Sequence, residues 1–341
     1  MRQARLKVPS DRPAGYYHCL SRVVDRQFVL DAPVKEHFVK LMREYEAFCE
    51  VNVLTFCVMS NHFHVLLEVP KPPEKLPTME EMLKKLEALS GHQNVGAVRQ
   101  RLENFRKRND AQGEAKMLAG YHARLWDLSA FMKVLKQRFT QWYNKRAGRK
   151  GTLWEDRFKS VLVEGAGQAL CGMATYIDLN PVRVGVVKDP KDYRWSGYGE
   201  AVAGGKRARW GLQRIAQAMR RGNQESLRKS LETYRVALYS AGTEQKEALG
   251  PDGRLVRGAL KHETVLEVLK KKGRLRLGAY VRSRVRYFSD GAVLGSREFV
   301  DGIFRVYRRR FGPKRKDGAR RMKGLEEPLY ALRDLQVNVF G

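Results

Sequence analysis

Residues 55–69 read TFCVMSNHFHVLLEV. β-Branched and aromatic residues dominate the run, and Pro70 with Lys71-Pro72-Pro73 closes it, which is the composition of a strand. Side chains alternate across a strand, so His62 and His64 leave by one face while Phe63, Val65 and Leu67 leave by the other. Two neutral imidazoles side by side on a rigid element are half of a metal site. The same pair also fits two hydrogen-bonded histidines near a sheet surface, and the motif alone does not choose between these readings.

The segments around this strand have a regular order. GYYHCLSRVV (15–24) alternates as a strand, VKEHFVKLMREYEAFC (34–49) carries apolar residues at helical spacing, and VNVLTFCV (51–58) returns as a strand. A Pro-rich break at 70–77 then opens a charged helical insert, about 71–127. Its stretches 80–90 and 98–108 are amphipathic, with Gly91, Gly96 and Gly113 at the bends. Ser129 is the expected cap of the helix AFMKVLKQRFTQWYNKR (130–146), which ends at Ala147-Gly148. RFKSVLVE (157–164) reads as a strand, and GQALCGMATYIDLN (167–180) as a helix stopped by Pro181. No repeat with a period of roughly 20–50 residues is visible.

Charge sets the partner class. The 341 residues carry 66 Lys and Arg against 37 Asp and Glu, a formal net charge of +29. A surplus of that size calls for a polyanion, and nucleic acid is the commonest. No apolar run approaches the roughly 18 residues of a membrane-spanning helix, and MRQARLKVPSDRPAG contains no signal-peptide core, so membrane is excluded and a cytoplasmic location is expected. Cys19, Cys49, Cys57 and Cys171 show no CxxC spacing, as expected of buried thiols in a reducing compartment. Composition shifts after residue 200: from Lys206 onward basic residues outnumber acidic ones more than two to one. Two domains are therefore expected, a core over 1–200 and a basic, mainly helical DNA-binding region over 201–341. Helices at about 262–272 and 296–310 there suit either a helix-turn-helix-like module or a basic extension that meets phosphates without sequence preference.

Tyr176 and Asn180, four residues apart, lie on one helix face. A tyrosine hydroxyl with an ordinary pKa near 10 needs a cation or a polarised target to act as a nucleophile. The amide oxygen of Asn180, one turn on, suits a third ligand beside His62 and His64. Taken singly, Tyr176 also reads as a core tyrosine and Asn180 as a helix-terminal residue. Basic residues interleaved with aromatics form a further group: Arg138, Trp142, Tyr143, Lys145 and Arg146 on one helix, then Arg157 and Lys159. With Arg183 and, towards the C-terminus, Arg305, Arg308 and Arg309, they are the expected DNA contacts. Trp154 and Phe158 read as core, and Tyr193 and Trp195 as anchors of the domain edge.

The HxH strand, the later TYIDLNPVRVG helix and the intervening RFTQWYNKR and LWEDRFKSVLVE together resemble the single-tyrosine HUH transposases. Among these they are closest to REP-associated tyrosine transposases and to insertion-sequence transposases acting on single-stranded DNA. The resemblance spans about residues 15–200, interrupted by an insert longer than the family usually carries. It implies an α+β fold, a ferredoxin-like antiparallel sheet with packed helices. It also implies Mg²⁺ or Mn²⁺ on His62, His64 and Asn180, with Tyr176 as the nucleophile. The implied activity is that of a single-stranded DNA endonuclease and strand transferase, cutting at hairpin-forming repeats through a 5′-phosphotyrosine, as a monomer or homodimer. The alternative is a non-catalytic nucleic-acid-binding regulator that retains the fold.

Overall fold

The structure, a computed structural model, describes residues 5–90, 92–219, 226–242, 286–289, 291–322, 325 and 327–332. The chain divides into two compact units, the first made of 1–30, 53–68 and 155–341 and the second of 31–52 and 69–154. This division has no boundary at 200/201. Short strands from the C-terminal third complete the sheet that the first seventy residues begin.

That sheet has seven strands: β1 (Ala14–Arg22), β2 (Asn52–Val58), β3 (His62–Pro70), β4 (Lys159–Val163), β5 (Val293–Gly295), β6 (Arg320–Arg321) and β7 (Tyr330–Leu332). Their order is β2-β3-β1-β4-β5-β7-β6. The first four strands follow a ferredoxin-like order. β1 and β4 are antiparallel, with Tyr17 opposite Leu162 and His18 opposite Val161, whereas β5 joins β4 in parallel. Strands β2 and β3 are buried along most of their length, which explains their nearly continuous apolar sequence. The amide of Met59 donates to the carbonyl of His62, closing a tight turn around Ser60 and Asn61 that fixes the register of His62 and His64.

Helices α6 (Gly167–Asp178), α7 (Asn180–Arg183), α8 (Gly197–Val202), α9 (Lys206–Met219) and α10 (Leu227–Gly242) belong to the same unit. Leu54, Leu66, Val161, Val163, Ile177, Leu212, Ile215 and Tyr234 lie in one buried cluster with Tyr176. α9 approaches β2 so closely that a Cβ at Gly211 would lie 2.3 Å from the carbonyl oxygen of Leu54. Gly211→Ala should therefore cost about 1–3 kcal/mol, because backbone cannot yield as a side chain does; urea unfolding with an unchanged midpoint would contradict that packing.

The C-terminal segment also holds α11 (Arg286–Ser289) and α12 (Arg297–Val306). The expected helix at 262–272 lies outside the described residues. The expected helix at 296–310 is α12, capped by Ser296 and followed by a 3₁₀ turn at Arg308–Arg310. It packs beside β5 and β7, so in the described residues it is part of a sheet-and-helix layer and not half of a helix-turn-helix.

In the second unit α1 (Ala32–Cys49) begins at Asp31, whose carboxylate accepts from the amide of Val34, and ends at Glu50 in left-handed conformation. It packs on α5 (Leu128–Arg146), with Phe38 edge-on to Phe139 at 5.1 Å. The cap of α5 is Asp127, whose carboxylate accepts from the amide of Ala130; the expected cap, Ser129, lies inside the first turn. The insert holds α2 (Met79–Ser90), α3 (His92–Lys107) and α4 (Ala111–His122), with a small core of Met79, Leu83, Val95 and Leu102. Thr78 and Glu81 form a reciprocal capping box at its entry. Gly96 lies within α3, and Gly113 within the first turn of α4, where its amide donates to Asp110; neither marks a bend. All four cysteines are buried thiols and none forms a disulfide.

Candidate functional site

Strand pairing, a tight turn and one helix bring together residues that lie some 110 positions apart in sequence. His62 and His64 share one face of β3, their ring centroids 5.1 Å apart. The ring of Tyr176, from α6, lies edge-on to His64 at 5.7 Å. Asn180 is buried, and its amide nitrogen has no hydrogen-bond partner among the described residues. Arg183 holds its guanidinium 4.1 Å from the centroid of the Tyr176 ring and hydrogen-bonds the phenol.

Two residues at this site were not expected from the sequence. His18 on β1 neighbours β3 in the sheet, and its Nε2 lies 2.8 Å from Nδ1 of His64, the two rings stacked at 5.0 Å. Phe288, from α11, stacks on Tyr176 at 5.1 Å, while its carbonyl lies 2.9 Å from Nδ1 of His18. Nothing local marks either residue. His18 sits in an ordinary alternating strand, and Phe288 is remote in sequence; only the strand order and the sheet-side packing join them to the motif. Tyr176 is only 2% exposed beneath Phe288 and Arg183.

Burial sets the protonation of the cluster. It pulls both His18 and His62 down to about 4, and His64 well below the ordinary imidazole range. The neighbouring histidines and the cationic Arg22 and Arg183 add to the effect on His64. All three rings are thus neutral at pH 7, the form in which a histidine binds a cation. Among the described residues no group of three His, Cys, Asp or Glu side chains is arranged to hold a metal ion. A cation here would use two imidazoles and an amide. The donor set fits a divalent ion that also takes water and phosphate oxygen, and the orphaned amide of Asn180 leaves that side chain available to turn its oxygen inward.

The other expected DNA contacts fall in two groups. Arg138, Lys145 and Arg146 are exposed on α5 in the second unit; Arg157 and Lys159 are exposed in the first. Trp142 and Tyr143 are half-buried, and Trp142 stacks on His37 with centroids 3.8 Å apart, so that ring face is already covered inside the fold. Arg305 and Arg309 are exposed, but Arg308 donates to the carbonyls of Phe311, Gly312 and Pro313 and so fastens a loop. Trp154 and Phe158 are buried as expected, and Tyr193 anchors its loop by donating to the carbonyl of Val58.

Residues 12–107 match the family described as Transposase IS200 like. That match contains His18, His62 and His64 but stops short of Tyr176. Solved structures with detectable likeness include a REP-associated tyrosine transposase bound to a REP hairpin, at 15% identity over 60% of this chain and 87% of that one, with a TM-score of 0.38. A protein from Deinococcus radiodurans R1, provisionally named a transposase, is 16% identical over 48% of this chain and 87% of that one, with a TM-score of 0.23. No curated protein matches the chain. No helix among the described residues is long and apolar enough to cross a membrane.

Proposed function

We propose that the protein is a single-stranded DNA endonuclease and strand transferase of the transposase type, using Tyr176 as nucleophile and a divalent cation, Mg²⁺ or Mn²⁺, held by His62, His64 and Asn180. The observation that carries this reading is the close approach of Tyr176 to the paired histidines, 5.7 Å between rings. The histidines supply half a cation site, and the hydroxyl of Tyr176 beside them can take a phosphoryl group and give it back.

When bound, the cation would polarise the scissile phosphate and offset the charge of its five-coordinate transition state. Tyr176 attacks phosphorus through its hydroxyl oxygen; the bond from phosphorus to the 3′-oxygen breaks, leaving a 5′-phosphotyrosine and a free 3′-hydroxyl. The proton lost by the phenol balances the one gained by the departing 3′-oxygen. Arg183, against the phenol ring and hydrogen-bonded to its hydroxyl, favours the developing phenolate. Because the ester bond energy stays in the phosphotyrosine, a second 3′-hydroxyl can reverse the step and join new strands without a nucleotide cofactor. The exposed Arg138, Lys145, Arg146, Arg157, Lys159, Arg305 and Arg309 would meet backbone phosphates, and hairpin-forming repeats are the substrate expected from the motif resemblance.

A second reading, a nucleic-acid-binding regulator without catalysis, is favoured by one observation: the hydroxyl-bearing ring is 2% exposed. Labelled single-stranded hairpin DNA incubated with protein and Mn²⁺, then run on a denaturing gel, separates the two. A slow covalent band that EDTA abolishes is the expected result. Bound but unchanged DNA would leave only the regulator.

A further inference from the structure

Both ligand histidines have their ring orientation and proton position dictated from a backbone carbonyl. Resting on the cation reading above, we propose that Asn61 and His18 are positioning residues that lock His62 and His64 as Nδ1–H tautomers, so that both present the bare Nε2 to a divalent cation. A carbonyl oxygen accepts and never donates, and a neutral imidazole carries one N–H.

The first relay starts at the carbonyl of Arg26, 3.0 Å from the side-chain amide of Asn61. The atom of Asn61 facing a carbonyl must be nitrogen, which settles the amide's orientation and places its oxygen 2.6 Å from Nδ1 of His62. That oxygen also only accepts, so Nδ1 of His62 carries the proton. A neutral imidazole has one N–H, and its Nε2 is left as a lone pair.

The second relay is longer and uses a third histidine. The carbonyl of Phe288, 2.9 Å away, requires His18 to carry its proton on Nδ1. Nε2 of neutral His18 is then an acceptor, and Nδ1 of His64, 2.8 Å away, must carry the proton it accepts. His64 in turn is left with a bare Nε2. A doubly protonated His18 would invert this, forcing His64 to accept at Nδ1 and to carry its proton on the nitrogen meant for the cation. The burial of His18, 1% exposed, disfavours that charge. The two rings therefore reach the same tautomer from carbonyls far apart in sequence. Preorganisation of this kind removes the cost of sorting tautomers at each binding event.

The test is a long-range ¹H–¹⁵N correlation spectrum of the full chain labelled at histidine and stripped of metal with EDTA, with peaks assigned by His62→Gln and His64→Gln. Both rings should show a protonated Nδ1 and a bare Nε2. In His18→Phe, which fills the space without a ring nitrogen, His64 should divide between tautomers and Mn²⁺ affinity by calorimetry should fall about 10–100-fold. Asn61→Leu should do the same to His62. His18→Gln, whose amide can donate to the carbonyl and accept from His64, should restore both readouts. A wild-type ring protonated at Nε2, or a His18→Phe protein with an unchanged His64 spectrum, overturns the inference. If His18→Phe fails to fold, the wild-type spectrum still decides. Correct tautomers in a chain that takes up neither Mn²⁺ nor Mg²⁺ would leave the inference standing and remove the cation reading.

Discussion

Tyr176→Phe is expected to abolish the covalent protein–DNA adduct, a loss of at least about 10³-fold, while hairpin binding stays within about twofold. The substitution deletes one oxygen and keeps the ring. The stack with Phe288 at 5.1 Å and the edge contact with His64 at 5.7 Å survive, so the fold has no reason to change. What disappears is the hydroxyl oxygen proposed to form the phosphate ester. An adduct that persisted in Tyr176→Phe, seen on a denaturing gel and located by mass spectrometry of tryptic peptides, would place the nucleophile elsewhere. An unchanged yield of cleaved but unattached DNA would mean that water attacks.

Asp178→Ala should be the most destabilising single change near the site, costing about 3–5 kcal/mol. Asp178 is fully buried between Tyr176 and Asn180 on the same stretch of chain. Its carboxylate accepts from the hydroxyl of Thr55 at 2.7 Å, the amide of Tyr198 at 3.3 Å and the hydroxyl of Tyr234 at 2.5 Å. Alanine would strand all three donors in an apolar interior. Burial pushes this carboxyl up to about 6 despite those three donors, which pull it down. A folded state with the higher pKa binds the proton more tightly than the unfolded chain, so stability from this group is greatest below about pH 4 and falls as pH rises to about 6. The fall is on the order of 3 kcal/mol. Asp178→Asn lacks the titration, so urea midpoints at pH 4.5 and 7 should move closer together in this variant than in the wild type. Parallel pH profiles for the two proteins would show that Asp178 is not the group responsible.

The half of the site visible in the sequence is the half built from local geometry. Alternation along β3 puts His62 and His64 on one face; the helix expected over 167–180 ends at Asp178 instead, and Asn180 and Arg183 stand on the short α7, whose first turn takes in Pro181 because that position needs no N–H donor. His18 and Phe288 were hidden because their roles depend on which strands are neighbours, and spacing carries no information about that. The strands β5, β6 and β7 escaped for a different reason: two or three residues are too few to display a period. The helix α4 was obscured by Gly113 and Gly120, each costing about 1 kcal/mol against alanine, which a cap at Asp110 and packing of Met117, Leu118 and Tyr121 on the insert core offset. Asp127 displaced Ser129 as the cap of α5 because the helix begins two residues earlier than its apolar repeat suggests.

The parallel seam between β4 and β5 has a consequence for how the protein is made. Val163 pairs with Leu294, which leaves the ribosome about 130 residues later. At a synthesis rate of roughly 5–20 residues per second, the outer edge of β4 stays open for on the order of ten seconds, presenting the buried residues Val161, Leu162 and Val163 before their partner exists. An open apolar strand edge is an invitation to pair with another nascent chain. Tyr176 shares this delay, since Phe288 arrives just ahead of β5 to roof it. The birth of the sheet and the closing of the site are thus one late event, and any chaperone engaged by this protein should bind before it.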